Sequence, residues 1–122
     1  QGLDTPVNTL ETARDPDGRW RRYVNQRLAT DYADVFGELD ALVFLQAPDF
    51  EAILRWRVEQ EQKLAAAASR NATGVMTADQ VRDFIQYFER ITRNNLEVVR
   101  SNADIVLELD EYHDCVASHY RE

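Results

Sequence analysis

The sequence predicts an α/β layered fold, helix-rich and with an incomplete sheet of two parallel strands. Residues 41–46 (ALVFLQ) and 103–109 (ADIVLEL) are nearly continuous apolar runs of strand length, the pattern of strands buried on both faces of a parallel sheet. Between them lie two helical patterns, and a parallel pair needs a connection of that length. Two strands make a poor sheet, however. Their unpaired edges invite further strands, either from a missing part of the chain or from a second copy.

Composition narrows the function classes. The 122 residues fit one domain or part of one. With 44% hydrophobic residues the chain can supply a core, so it is not a disordered segment. A net charge of -8 argues against nucleic acid or an anionic membrane as partner, since both call for a basic surface. No apolar run approaches the about 18 residues that would suggest a membrane span, and no basic-then-apolar leader is visible, so the cytoplasm is the expected compartment. Cys115 is the single cysteine, which rules out an internal disulfide and reads as a half-buried thiol. His113 and His119 stand at neither of the usual helical ligand spacings, and no metal site is expected from them. Asn71-Ala72-Thr73 matches a glycosylation sequon with no secretory context to give it meaning. The chain opens on Gln rather than Met, which reads as a segment of something larger.

Gln1 to Asp15 contains Gly2, Pro6 and short polar residues and reads as a loop. Asp15-Pro16-Asp17-Gly18 is a helix-start signal, and the helix it opens is expected to run to about Glu38. Trp20, Tyr23, Val24, Leu28, Val35 and Leu39 give that helix an apolar stripe that would face a core. Arg19, Arg21, Arg22 and Arg27 take its other faces, either solvated and neutralised by nearby acids or able to hold a phosphate. After the first strand, Pro48-Asp49 sets a helix boundary and an N-cap. The helix from Phe50 through Lys63 into alanines 65–68 then becomes the element around which the chain is organised. Ser69 to Val75 interrupts it as a loop. Thr77 and Gln80 form a capping box for a second long helix, which ends near Val99. On that helix Val81, Phe84, Ile85, Phe88, Ile91 and Thr92 trace one face. Asp110 to Glu122 reads equally as a short helix or a final strand.

Several stretches, taken in order, resemble glycerate kinase-like P-loop kinases of the phosphoribulokinase/uridine kinase superfamily. They are PVNTLE at Pro6–Glu11, DPDGRWRRYVN at Asp15–Asn25, LVFLQAPDF at Leu42–Phe50, WRVEQE at Trp56–Glu61, MTADQVRDFIQYFERITR at Met76–Arg93 and ADIVLELD at Ala103–Asp110. The resemblance covers most of the chain and implies the C-terminal half of such a kinase domain, with residues 50–100 as a lid-like helical region. It implies transfer of a phosphoryl group from ATP, with Mg2+, to a hydroxyl of glycerate or a similar acceptor.

A planar guanidinium can bridge two phosphate oxygens. By that likeness Arg57 is the first choice for the catalytic and nucleotide-binding arginine, and Arg55 the second catalytic choice. Arg90 and Arg93 would line the same cleft as nucleotide ligands. Asn8 would approach the acceptor, or else simply cap its loop. Phe88 stands where relatives often show Tyr. No GxxxxGK[ST] occurs in the sequence, so the elements that hold the β- and γ-phosphates are absent from it and this chain alone is expected to be inactive. The alternative is a non-catalytic interaction module of that fold, which completes its sheet by self-association or with a partner subunit.

Overall fold

A long helix, not the one at Phe50, is the hub of the molecule. The structure is a computed structural model that describes residues 2–67 and 74–121. In chain order it has α1 (Thr9–Arg14), α2 (Arg19–Ala29), α3 (Ala33–Gly37), β1 (Val43–Gln46), α4 (Phe50–Ala67), α5 (Ala78–Asn102), β2 (Ile105–Leu109) and β3 (Cys115–Tyr120). The α5 helix packs against α1, α4 and β1. It starts where the sequence places it: the Thr77 hydroxyl accepts from the Gln80 backbone N–H at 3.2 Å and Gln80 Oε1 accepts from the Thr77 N–H at 2.8 Å. Thr77→Ala is expected to lower the unfolding free energy by about 1 kcal/mol, readable as a shifted midpoint in chemical denaturation. The α4 helix is capped by Asp49, whose carboxylate accepts from the Ala52 N–H at 2.6 Å.

The predicted parallel pair is present. β1 runs parallel to β2 in the register Val43↔Ile105 to Gln46↔Glu108. The tail, open between helix and strand in the sequence, is β3, antiparallel to β2, so the sheet is mixed with order β1-β2-β3. Asp110 makes the reversal: its Oδ1 accepts from the N–H groups of Tyr112 and Asp114 at 2.8 and 2.9 Å. His113 adopts a left-handed φ of 72° within that turn. Cys115, expected half-buried, is exposed on β3.

Burial on both faces does not hold for β1. Val43 and Leu45 are exposed, while Phe44 and Gln46 are half-buried; among the described residues the helix that packs on β1 is α5. The buried apolar side chains are few among the described residues: Ala47, Phe50, Ala52, Val81, Ile85, Ala103 and Val106. On α5 the buried line is Val81, Ile85 and Glu89, while Phe84, Phe88 and Ile91 from the predicted stripe are exposed. The total accessible surface, 9132 Å² for 14.1 kDa, exceeds by roughly a third the value at which compact monomers of this mass fall.

The N-terminal third departs most from expectation. The stretch read as a loop contains α1, whose N-cap Asn8 accepts from the Glu11 N–H at 3.0 Å. The single helix expected to Glu38 is two. Thr30 folds its hydroxyl back onto the Gln26 carbonyl at 2.9 Å and Asp31 takes the Arg27 guanidinium at 2.8 Å, local bonds that compete with helix continuation. The α2 helix starts from Gly18 at φ 67°, and Asp15 reaches over that turn to accept from the Trp20 and Arg21 N–H groups at 2.9 and 3.1 Å. Trp20, Tyr23, Val24, Val35 and Leu39 of the predicted apolar stripe are exposed and Leu28 is half-buried, while Arg21 is buried and Arg19, Arg22 and Arg27 are exposed as expected.

Candidate functional site

The candidate site lies where α4 meets the turn that leaves the carboxyl end of β2, the side of an α/β sheet on which ligands bind. Trp56 points from α4 toward that turn, donating its indole N–H to the Glu111 carbonyl at 2.8 Å. The His113 ring lies against it, with centroids 4.2 Å apart and planes tilted by 31°. These rings border a cavity of about 460 Å³ that Ile53, Arg57, Gln60 and Lys63 also line. Its wall is flat and aromatic, and its rim is of mixed charge, with Glu59 beside Arg57 and Lys63.

Arg57 is half-buried, its side chain 29% exposed. One terminal nitrogen pairs with Glu61 one helical turn on, and the other donates to Gln60 Oε1 at 3.1 Å. Glu61 is buried and also accepts from the Met76 N–H at 3.0 Å. Its carboxyl is held below the ordinary range by that backbone N–H first, against the pull of burial, and then by Arg57. Lys63, on the same rim, pairs with Glu59.

Arg55 does not join Arg57. Residues two apart on a helix point to different sides; Arg55 is exposed and lines neither cavity described here. Nor do Arg90 and Arg93 share the Arg57 cleft. They line a second cavity, about 360 Å³, between α2 and α5, together with Trp20, Arg21, Tyr87 and Glu97 among others. There the arginines are already matched by acids. Arg90 makes a two-point pair with Glu11 at 2.8 and 2.9 Å and donates to the Thr5 carbonyl at 2.7 Å. Glu11 is accordingly lowered, chiefly by the Arg90 hydrogen bond against its burial, and Arg90 is raised by the same bond. Arg93 donates to Glu89 at 2.9 Å and Glu51 at 3.0 Å, with its guanidinium 4.8 Å over the Phe50 ring. A phosphate arriving there would have to displace carboxylates.

Asn8 is engaged on every side. Besides capping α1, its amide donates to the Gln86 carbonyl at 2.9 Å and to Glu89 at 3.0 Å, which is the capping role and a clamp onto α5. Phe88 is exposed and packs against Phe84 at 5.3 Å. The sequon at 71–73 and most of the loop expected at 69–75 lie outside the described residues. Sequence reasoning missed Trp56 and His113 as partners, since nothing local to either residue marks the stack.

Comparison with known proteins agrees with this fold. No family model matches the chain. Over 93 residues, 71% of its length, the chain is 33% identical to an uncharacterized kinase, mug58, of Schizosaccharomyces pombe, and it spans about a third of that protein, 32%. Among solved structures it superposes on a D-glycerate 3-kinase from Cryptococcus neoformans var. grubii with a TM-score of 0.65 at 20% identity, covering 82% of this chain and 35% of that one. It superposes on the YGR205w protein with a TM-score of 0.63 at 19% identity, covering 96% of this chain and 44% of that one. These likenesses establish the fold as part of a P-loop kinase fold. In sequence the chain is similar to a kinase of unstated substrate, and in architecture to a D-glycerate 3-kinase.

Proposed function

We propose that this chain is part of an ATP-dependent small-molecule kinase, one that moves a phosphoryl group to a hydroxyl of glycerate or a similar acceptor. The observation that carries the reading is the cavity at the carboxyl end of β2, where a flat aromatic wall adjoins the half-buried Arg57. In this reading the nucleotide base packs against the Trp56–His113 pair and the phosphates extend toward Arg57. Gln60 is the partner that Arg57 gives up, being a neutral acceptor at the surface, while the Glu61 pair persists. The guanidinium then offsets charge on the phosphoryl oxygens, which is most of what a protein supplies in this chemistry. Among the described residues no group of three His, Cys, Asp or Glu comes together. In this reading Mg2+ would arrive with the ATP phosphates, which supply much of its coordination.

A second reading, an interaction module that completes its sheet with a partner or a second copy, is favoured by one observation. Among the described residues β1 pairs only with β2, leaving its other edge and the apolar Val43 and Leu45 side chains uncovered. One titration separates the two. ATP added to the chain, with its solution mass followed in parallel, should move the NMR signals of the Trp56 indole and the His113 ring while leaving those of Trp20 in place. Signals that do not move, in a chain that associates at micromolar concentration, would remove the Trp56–His113 wall as a nucleotide site and favour the module.

A further inference from the structure

We infer that Glu61 is the positioning residue for Arg57, holding the guanidinium against α4 and tying it to the start of α5; this rests on the reading of Arg57 above. Glu61 is 5% exposed in a chain whose charged side chains are mostly solvated. Its two contacts reach in opposite directions: back one helical turn to Arg57 and forward fifteen residues to the Met76 N–H at 3.0 Å. Met76 immediately precedes Thr77, which caps α5. The carboxylate thus joins the body of α4 to the entrance of α5, and Arg57 is held from that junction. Arginine side chains are long and carry about 2 kcal/mol of rotamer entropy. An arginine fixed by a buried carboxylate presents its remaining N–H groups in one direction, and the cost of ordering it is already met before an anion arrives.

A carboxylate beside an arginine has a second consequence, of opposite sign. It neutralises the cation, and removing it would raise the local positive potential and draw anions more tightly. Positioning and neutralisation therefore predict opposite responses to one substitution. Glu61→Gln keeps an acceptor for the Met76 N–H and removes the charge. If Glu61 positions Arg57, affinity for the anion falls about tenfold, the scale of loss that goes with one hydrogen bond to a charged group. If Glu61 only neutralises, affinity rises. Glu61→Asp keeps the charge and shortens the side chain, so positioning predicts a loss there too and neutralisation predicts no change.

The experiment titrates the 122-residue chain with inorganic tripolyphosphate, following the Arg57 Nε–Hε signal by NMR in wild type and both variants. Weaker binding in both variants, with an Arg57 signal that has lost its order, is the expected result. Binding as tight or tighter in Glu61→Gln overturns the inference. A wild-type chain that ignores tripolyphosphate while Arg57→Ala behaves identically sinks the phosphate role of Arg57 instead. In that case the order of the Arg57 signal alone decides on Glu61: order retained in both variants overturns the positioning role.

Discussion

Arg57→Ala, made in a longer polypeptide that joins this chain to a GxxxxGK[ST]-bearing half, is expected to cut kcat/KM for phosphoryl transfer by about 10³-fold, the lower end of what arginines contribute in this chemistry. That corresponds to about 4 kcal/mol of transition-state stabilisation. The expectation rests on location and pairing together. Arg57 borders the cavity beyond β2, beside the aromatic wall, and exchanging Gln60 for a phosphate oxygen leaves its buried partner in place. Most of the loss should fall on kcat, because charge on the transferring group is greatest in the transition state, with a smaller change in the KM for ATP. Arg57→Lys should recover little, since an ammonium cannot bridge two oxygens in one plane. Arg55→Ala is the internal control: that side chain lies exposed on another side of α4, and turnover should stay near wild type. Steady-state kinetics of the three variants with a saturating acceptor would decide the matter. Equal losses at Arg55 and Arg57 would mean that general helix charge, not one placed guanidinium, assists the reaction.

The backbone was more legible in the sequence than the sidedness of its elements. Strand β1, the Asp49 cap and the Thr77–Gln80 box each announce themselves within a few residues, and each is present. The apolar stripe of Trp20, Tyr23 and Val24 announces itself equally well, yet it is exposed. Periodicity tells which residues want cover and not whether the cover belongs to the same stretch of chain. The α1 helix was legible in principle, because Asn8 and Glu11 stand at capping-box spacing, but the helix is too short for periodicity to show. Arg57 came from the likeness of its WRVEQE stretch. The fate of Arg90 and Arg93 was not readable, because their carboxylate partners include Glu11 and Glu51, 79 and 42 residues away along the chain. Pairing over that distance depends on which helices meet. The same holds for Trp56 and His113, which come together only once β2 and its turn are laid beside α4.

Arg21→Ala is expected to be strongly damaging to the fold, lowering stability by about 3 kcal/mol, the loss of two buried hydrogen bonds donated by a charged group. Its side chain is 4% exposed. Nε donates to the Leu3 carbonyl at 2.9 Å and Nη1 to the Asp15 carbonyl at 2.7 Å, with the Asp15 and Glu11 carboxylates at 3.4 and 3.6 Å. The guanidinium thus gathers the N-terminal segment, the turn before α2 and the end of α1 into one knot. Two neighbours limit the damage. Glu11 keeps Arg90, and Asp15 keeps the backbone N–H groups of Trp20 and Arg21. Nη2, by contrast, is buried without a hydrogen-bond partner among the described residues, packed over Gly18, where an added Cβ would come within 2.9 Å of it. Arg21→Met removes that unsatisfied group and keeps much of the volume, so it should fall between wild type and Arg21→Ala. The acid limb gives an independent reading. Burial works to raise the Asp15 carboxyl, but the Trp20 and Arg21 N–H groups and the Arg21 charge outweigh it and hold the group below its ordinary value. Its contribution is therefore present above the ordinary carboxylate range and lost as pH falls through the lowered value. Without the Arg21 charge the lowering shrinks, and the acid transition should begin at higher pH in both variants. Since α2 is tied to the body chiefly at this knot, its amides should also exchange faster with solvent. Denaturation midpoints and an acid limb that match wild type would mean that α2 is anchored elsewhere and the buried guanidinium is incidental.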